Sequence, residues 1–259
     1  MSWEEAGVAW SARAIDWAYL MEPLFGPVYD ALGSSLGLTQ AHRVLDVGCG
    51  AGLALREYAG RGATVAGVDA AEGLLSIARA RVPAADLRHG PMTRLPWADA
   101  TFDALTGVNS FAYADDGALD EAFRVLKPGG RLAIGFWVDP MDFGWAMAAL
   151  GGALGPYVGP ASRHTPLSMA QPDVARDLLA GAGFQVRDSG AVTGVAEFAD
   201  ATSAYRALAS TGMIHPLVQA DAEGPLREEC LAQLETRSDP HTGIRMSASF
   251  GWLVAERTR

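Results

Sequence analysis

One segment constrains this chain more than any other: Val44-Leu45-Asp46-Val47-Gly48-Cys49-Gly50-Ala51-Gly52. It reads as a buried strand that enters a G-x-G-x-G turn and continues into a helix over 53–59. The glycines let the backbone bend tightly and come close to a ligand where a Cβ would clash. A second apolar strand, Thr64-Val65-Ala66-Gly67-Val68, ends on Asp69. A carboxylate at such a strand tip can accept both hydroxyls of a ribose. The spacing departs from the dinucleotide fingerprint, which requires a third glycine where Leu53 stands.

The rest of the chain organises around this turn. Residues 1–42 read as an N-terminal helical segment. Trp10, Ala14, Trp17, Leu20 and Met21 follow helical spacing, and Leu24, Val28 and Leu32 continue it after a break at Pro23. Strand and helix then alternate, with strands near 43–47, 63–68, 84–89, 102–108 and 130–137 and helices near 53–59, 71–81 and 115–126. Such alternation demands a parallel sheet covered on both faces, with ligands at the carboxyl ends of its strands. Residues 138–171, rich in Gly, Pro, Met and aromatics, leave the pattern. A helix near 172–182 and a strand at 184–188 resume it. A second non-core stretch covers about 196–245, helical around 200–210 and 219–236, before a last strand at 246–256.

Bulk properties narrow the function. A chain of 259 residues suits one large domain, and 49% hydrophobic with 19% charged residues is an ordinary globular balance. The net charge of −10, with no block of five or more Lys/Arg, argues against a nucleic-acid partner, which needs a basic face. Two cysteines, Cys49 and Cys230, give neither a disulfide framework nor metal-ligand spacing, so no metal is expected. With no basic-then-apolar leader at Met1, a reduced, cytoplasmic setting is expected. The longest apolar stretch, 143–158, is interrupted by Gly144, Gly151, Gly152, Gly155 and Pro156, too short and broken for a membrane span.

Further motifs converge. Leu126-Lys127-Pro128-Gly129-Gly130-Arg131-Leu132 ends a helix and opens a strand, Leu95 to Asp103 leads into the fourth strand, and Ala182-Gly183-Phe184 precedes the sixth. Together with 44–52 and Asp69, these resemble the class I S-adenosylmethionine (SAM)-dependent methyltransferases, in particular their small-molecule branch, closely over 43–137 and more loosely over 172–189. The resemblance implies an α/β fold: a Rossmann-like, doubly wound, seven-stranded sheet, mostly parallel with the last strand antiparallel, plus N-terminal helices and an inserted helical lid. It implies a single domain over 1–259, made of an N-terminal cap (1–42), a SAM-binding core (43–137), lid insertions (138–171 and about 196–245) and a final strand (246–259).

The same resemblance implies the site. Asp46, Gly48, Cys49, Gly50 and Gly52 would cradle the methionine and ribose, and Asp69 would hold the ribose hydroxyls. Ala70 would lie against the adenine, and Leu74 and Trp17 join the cofactor set. Pro91 stands where relatives often carry an acid, leaving the Met92 backbone to bond the ring. Gly107, Val108 and Asn109 would meet the amino group of the methionine moiety.

The implied reaction is methyl transfer to an oxygen, nitrogen or carbon nucleophile of a small-molecule substrate, leaving S-adenosylhomocysteine. Two other classes stay open: a SAM-binding protein without transfer activity, and an NAD-dependent oxidoreductase. Trp10, Trp17 and Tyr19 have two readings, capping the cofactor or simple core packing. Residues 143–160 read as a lid that also lines a greasy pocket. Cys49 reads as packing, His42 and His89 as structural, and His241 as solvated. His164 and His215 lie in the insertions and are the candidate bases, with Tyr113 nearer the expected methyl position; Asp115 reads as a helix N-cap. Substrate identity and oligomeric state are not legible.

Overall fold

Seven strands form one sheet in the computed structural model, which describes residues 2–113, 117–156 and 172–258. They are β1 (Arg43–Val47), β2 (Thr64–Asp69), β3 (Asp86–His89), β4 (Phe102–Val108), β5 (Leu126–Asp139), β6 (Phe184–Phe198) and β7 (Ile244–Arg257). Their order is β3-β2-β1-β4-β5-β7-β6. The first five are parallel, and β7 runs antiparallel between β5 and β6. The helices are α1 (Trp3–Ser11), α2 (Ala14–Asp16), α3 (Gly26–Ser35), α4 (Leu53–Gly60), α5 (Glu72–Arg81), α6 (Ala118–Val125), α7 (Gly144–Leu154), α8 (Pro172–Gly181), α9 (Ala201–Ala209), α10 (His215–Gln219) and α11 (Glu223–Glu235).

Strand periodicity explains the layering. On β1, Val44 faces one side while Leu45 and Val47 face the other; on β5, Ala133 opposes Leu132 and Ile134. One core packs the first face against α3, α4 and α5, through Leu32, Leu55, Tyr58 and Leu75. The second packs the other face against α6 and α8, through Ala122, Val125, Ala175 and Leu179. A sheet buried on both faces requires apolar residues at successive positions, as β1 and β4 have. The doubly wound fold with its antiparallel last strand is the expected one.

Three boundaries differ from the sequence reading. β6 runs on to Phe198, because Ala196 and Phe198 join Ile244, Met246, Ala248 and Phe250 of β7 in the core; the second insertion therefore starts after β6. The N-terminal helical run is interrupted by a π-helical turn (Trp17–Met21) and a 3-10 turn (Glu22–Phe25) before α3. Gly117, at φ +100°, holds the N-cap position of α6 that was expected for Asp115, which lies outside the described residues.

Candidate cofactor-binding site

The carboxyl ends of β1, β2 and β4 lie side by side, bringing together the glycine loop, Asp69 and the turn at Asn109. The Gly48 and Cys49 N–H groups both donate to the Val68 carbonyl, at 2.8 and 3.1 Å, which ties the loop to β2. Gly48, Gly50 and Gly52 all take positive φ, +72°, +54° and +82°. Their reasons differ. A Cβ at Gly48 would stand 2.3 Å from Ser110 Cβ, and one at Gly52 3.0 Å from Ala78 Cβ, so these two permit close packing within the protein. A Cβ at Gly50 would meet only two side-chain tips, Glu22 Oε1 at 3.5 Å and Trp17 Nε1 at 3.6 Å. At Gly50 the demand for glycine comes from the positive φ rather than from crowding. The buried Cys49 thiol faces Gly67, and burial holds its pKa well above the usual range, as packing rather than nucleophilic chemistry requires.

Asp69 is oriented by backbone donors. Its Oδ2 accepts from Gly50 N–H and its Oδ1 from Ala71 N–H, both at 2.8 Å. Each carboxylate oxygen keeps acceptor capacity for a ribose hydroxyl. Burial raises the Asp69 pKa, opposed by these N–H groups. Asp46, 3% exposed, accepts a 2.6 Å hydrogen bond from Thr106 Oγ1. Burial pushes its pKa up to about 7; Thr106 opposes the rise and Asp69 and Glu22 add to it. Asn109 takes φ +59°, with its N–H donating to the Gly135 carbonyl at 2.8 Å, and Ser110 Oγ donates to the Val47 carbonyl at 2.6 Å. A Cβ at Gly107 would stand 2.6 Å from the Phe111 ring, and Val108 ends β4 beside it. Gly90 N–H donates to the Asp69 carbonyl at 3.1 Å, setting Pro91 and Met92 beyond the tip of β3.

The N-terminal segment closes over this edge. A Cβ on Gly7 of α1 would stand 2.1 Å from the Ala70 carbonyl oxygen, and Gly73 N–H donates to Ser11 Oγ at 3.1 Å. His89 Nε2 also donates to the Ala70 carbonyl, at 2.8 Å, while Trp3 packs edge-on against its ring, a structural role. Trp10 and Trp17 meet edge to face at 4.9 Å and pack on Ala51, Ala71 and buried Leu74. Trp17 therefore joins both readings, packing on Phe25 while its Nε1 points toward Gly50. Tyr19 fits neither, because it is 65% exposed with Arg81 beside its ring.

Glu22 and Arg81 were not foreseen. Glu22 is 1% exposed and ion-paired with Arg81. Leu53 N–H donates to Glu22 Oε1 at 3.4 Å, and Arg81 also donates to the carbonyls of Ala51 (3.0 Å) and Ala18 (2.7 Å). The sequence signal was a lone acid inside the apolar run Ala18-Tyr19-Leu20-Met21-Glu22-Pro23-Leu24-Phe25.

Ring contacts continue from the loop toward the turn before α7: Trp17 to Phe25 at 5.7 Å, Phe25 to Trp137 at 5.8 Å, Trp137 to Phe143 at 5.9 Å. Of the candidate bases, His215 opens α10, and its buried Nδ1 has no hydrogen-bond partner among the described residues. The turn before it touches the cap, since a Cβ at Gly212 would stand 2.7 Å from Trp10. Tyr113 ends the 3-10 turn Ser110–Tyr113 after β4, and His164 lies outside the described residues. His42 is tied to Thr39, with Nδ1 3.0 Å from Thr39 Oγ1.

A sheet of this order, with a glycine loop and an acid on adjacent strand tips, defines a doubly wound nucleoside-binding protein. Comparison with known proteins makes this specific. A family model described as a methyltransferase domain matches residues 45–134. A demethylmenaquinone methyltransferase of Thermus thermophilus is 32% identical over 205 residues, covering 70% of this chain and 84% of that protein. Another, of Renibacterium salmoninarum, is 37% identical over 115 residues, 44% of this chain and 47% of the relative. For several curated relatives the match spans less than half of their length. The structure of a methyltransferase-like protein from Bacillus halodurans shares the fold, with a TM-score of 0.58 at 16% identity over 89% of this chain and 99% of that one. The chain belongs to the class I SAM-dependent methyltransferases, the family whose cofactor is S-adenosylmethionine. The residues present fit that cofactor: the Asp69 carboxylate has acceptor capacity for ribose hydroxyls, and the carboxylates of Asp46 and Glu22 suit a cation.

Proposed function

We propose that this chain transfers the methyl group of SAM to an oxygen, nitrogen or carbon atom of a small, largely apolar acceptor, leaving S-adenosylhomocysteine. The observation that carries this reading is the pair of half-buried indoles, Trp17 above the glycine loop and Trp137, which both pack on the buried Phe25 ring. A flat apolar acceptor suits the exposed parts of these two indoles. The relatives named for demethylmenaquinone support an acceptor of quinone type. Among the described residues no helix is long and apolar enough to cross a membrane, and we place the activity in the cytoplasm.

The bound cofactor supplies an activated methyl group on a sulfonium. The chain's task is to hold the acceptor in line with that methyl and to exclude water, an alignment worth ~7–11 kcal/mol in favourable cases. Asp69 and the Gly48–Gly52 loop orient the nucleoside, and Gly107, Val108 and Asn109 meet the amino acid end. The half-buried Trp17 indole suits a passing cation, worth roughly 2 kcal/mol when desolvated. His215, whose buried Nδ1 has no hydrogen-bond partner among the described residues, is the candidate to hold the acceptor's proton; Tyr113 and His164 are the alternatives.

The test is incubation with SAM and a panel of quinols, naphthols, phenols and amines, read by mass spectrometry. A methylated acceptor appearing in step with S-adenosylhomocysteine is the expected result. Tight SAM binding with no methylated acceptor from any class would instead identify a SAM-binding protein without transfer activity.

A further inference from the structure

Glu22 stands in an unusual place. The first N–H groups of a helix that follows a glycine loop attract an anion, and dinucleotide-binding folds seat a pyrophosphate there. Here the Glu22 carboxylate, delivered by the N-terminal cap, already accepts from Leu53 N–H at the start of α4, at 3.4 Å. Its Oε1 lies 3.5 Å from where a Cβ on Gly50 would stand, beside the Trp17 Nε1 at 3.6 Å. Glu22 is fixed from behind by the Arg81 guanidinium, itself held by the Ala51 and Ala18 carbonyls. Asp46 feels the charge of both Asp69 and Glu22, so three carboxylates share this crevice with Arg81.

We propose that Glu22, positioned by Arg81, is a specificity-determining residue that selects a cationic, phosphate-free nucleoside and rejects one carrying phosphates. This deepens, and rests on, the reading of the crevice as the SAM site. A phosphate brought to the α4 N-terminus would meet a buried carboxylate already bonded there. A sulfonium would instead meet net negative charge in a poorly hydrated setting, where such charges act strongly. Arg81 aims the buried Glu22 carboxylate and opposes the proton uptake that burial favours there.

The prediction separates charge selection from simple support of the fold. SAM and S-adenosylhomocysteine differ by the methyl group and the positive charge on sulfur. Calorimetric titration of the full chain with both ligands compares the wild type with Glu22→Gln, which keeps the shape and removes the charge, and with Asp69→Ala. Glu22→Gln is expected to weaken SAM three- to tenfold more than S-adenosylhomocysteine, whereas Asp69→Ala weakens both by the same factor. Equal weakening of the two ligands by Glu22→Gln, or no weakening, overturns the proposal while leaving the cofactor reading intact. A wild type that binds neither ligand overturns the cofactor reading and the proposal with it. Should Glu22→Gln fail to fold by circular dichroism, the wild type still decides the matter: adenosine must bind at least tenfold more tightly than ADP, and equal or tighter ADP binding refutes the proposal.

Discussion

Thr106 donates a 2.6 Å hydrogen bond to Asp46 from the position directly paired with it on the neighbouring parallel strand. The bond holds a carboxylate that burial would otherwise expel, and it partly offsets a pKa pushed up to about 7. The unfolded value is ~3.9. The folded protein therefore binds more protons than the unfolded chain between these values, and stability must fall as pH rises through that window. Asp46 contributes most below about pH 4, and its contribution is lost above pH 7. Glu22 and Asp69, shifted in the same direction, act with the same sign. Denaturant unfolding of the ligand-free protein at pH 5.5 and pH 8 is expected to show lower stability at pH 8. Asp46→Asn is expected to shrink the difference between pH 5.5 and pH 8 by about 2 kcal/mol, since roughly 1.5 pH units of that interval lie below the folded value of about 7.

The glycines of the loop are separable. Gly48→Ala forces a Cβ to 2.3 Å from Ser110 Cβ at φ +72° and is expected to cost more than ~2 kcal/mol of folding stability. Gly50→Ala meets only the tips of Glu22 and Trp17, so the stability loss is nearer ~1 kcal/mol, while affinity for S-adenosylhomocysteine drops further than stability does. Chemical unfolding and calorimetry on the two variants check this ordering.

Trp137 touches Phe25, Phe143 and Phe250 and is the half-buried ring of the aromatic run farther from the glycine loop. Trp137→Leu is expected to raise the acceptor KM about tenfold, the order of ~1.4 kcal/mol, and to leave S-adenosylhomocysteine affinity unchanged. Steady-state kinetics with the acceptor found in the panel, alongside calorimetry, reads both effects.

His215→Asn keeps a planar, hydrogen-bonding side chain but removes the basic ring nitrogen. If His215 holds the acceptor's proton, kcat falls by roughly 10²–10⁴ with cofactor binding intact. A kcat within about twofold of wild type removes His215 from the chemistry.

Much of this was legible in the sequence for a physical reason. β1, β2 and β4 are short apolar runs bounded by glycine or acid, and the loop's conformation depends on residue type alone, so Gly48–Gly52 and Asp69 stood out. The length of β6 did not, because Ser189-Gly190-Ala191-Val192-Thr193-Gly194 lacks apolar alternation and is held as strand by pairing with β7. The Glu22–Arg81 pair joins residues 59 positions apart, and no local pattern marks such a partner. Nor does spacing tell that Gly48 packs against Ser110 while Gly50 meets only the tips of Glu22 and Trp17, a distinction that exists only once β4 and the N-terminal segment lie beside the loop.

The central claim is that the tips of β1 and β2 form a nucleoside cradle for SAM, with Asp69 as its ribose acceptor. Calorimetric titration of S-adenosylhomocysteine into wild type and Asp69→Ala tests it most directly. The expected result is one site per chain, weakened by about 1–3 kcal/mol in the variant, the scale of a lost hydrogen bond to a charged group. Unchanged affinity in Asp69→Ala, or a wild type that binds NADH more tightly than S-adenosylhomocysteine, would contradict it.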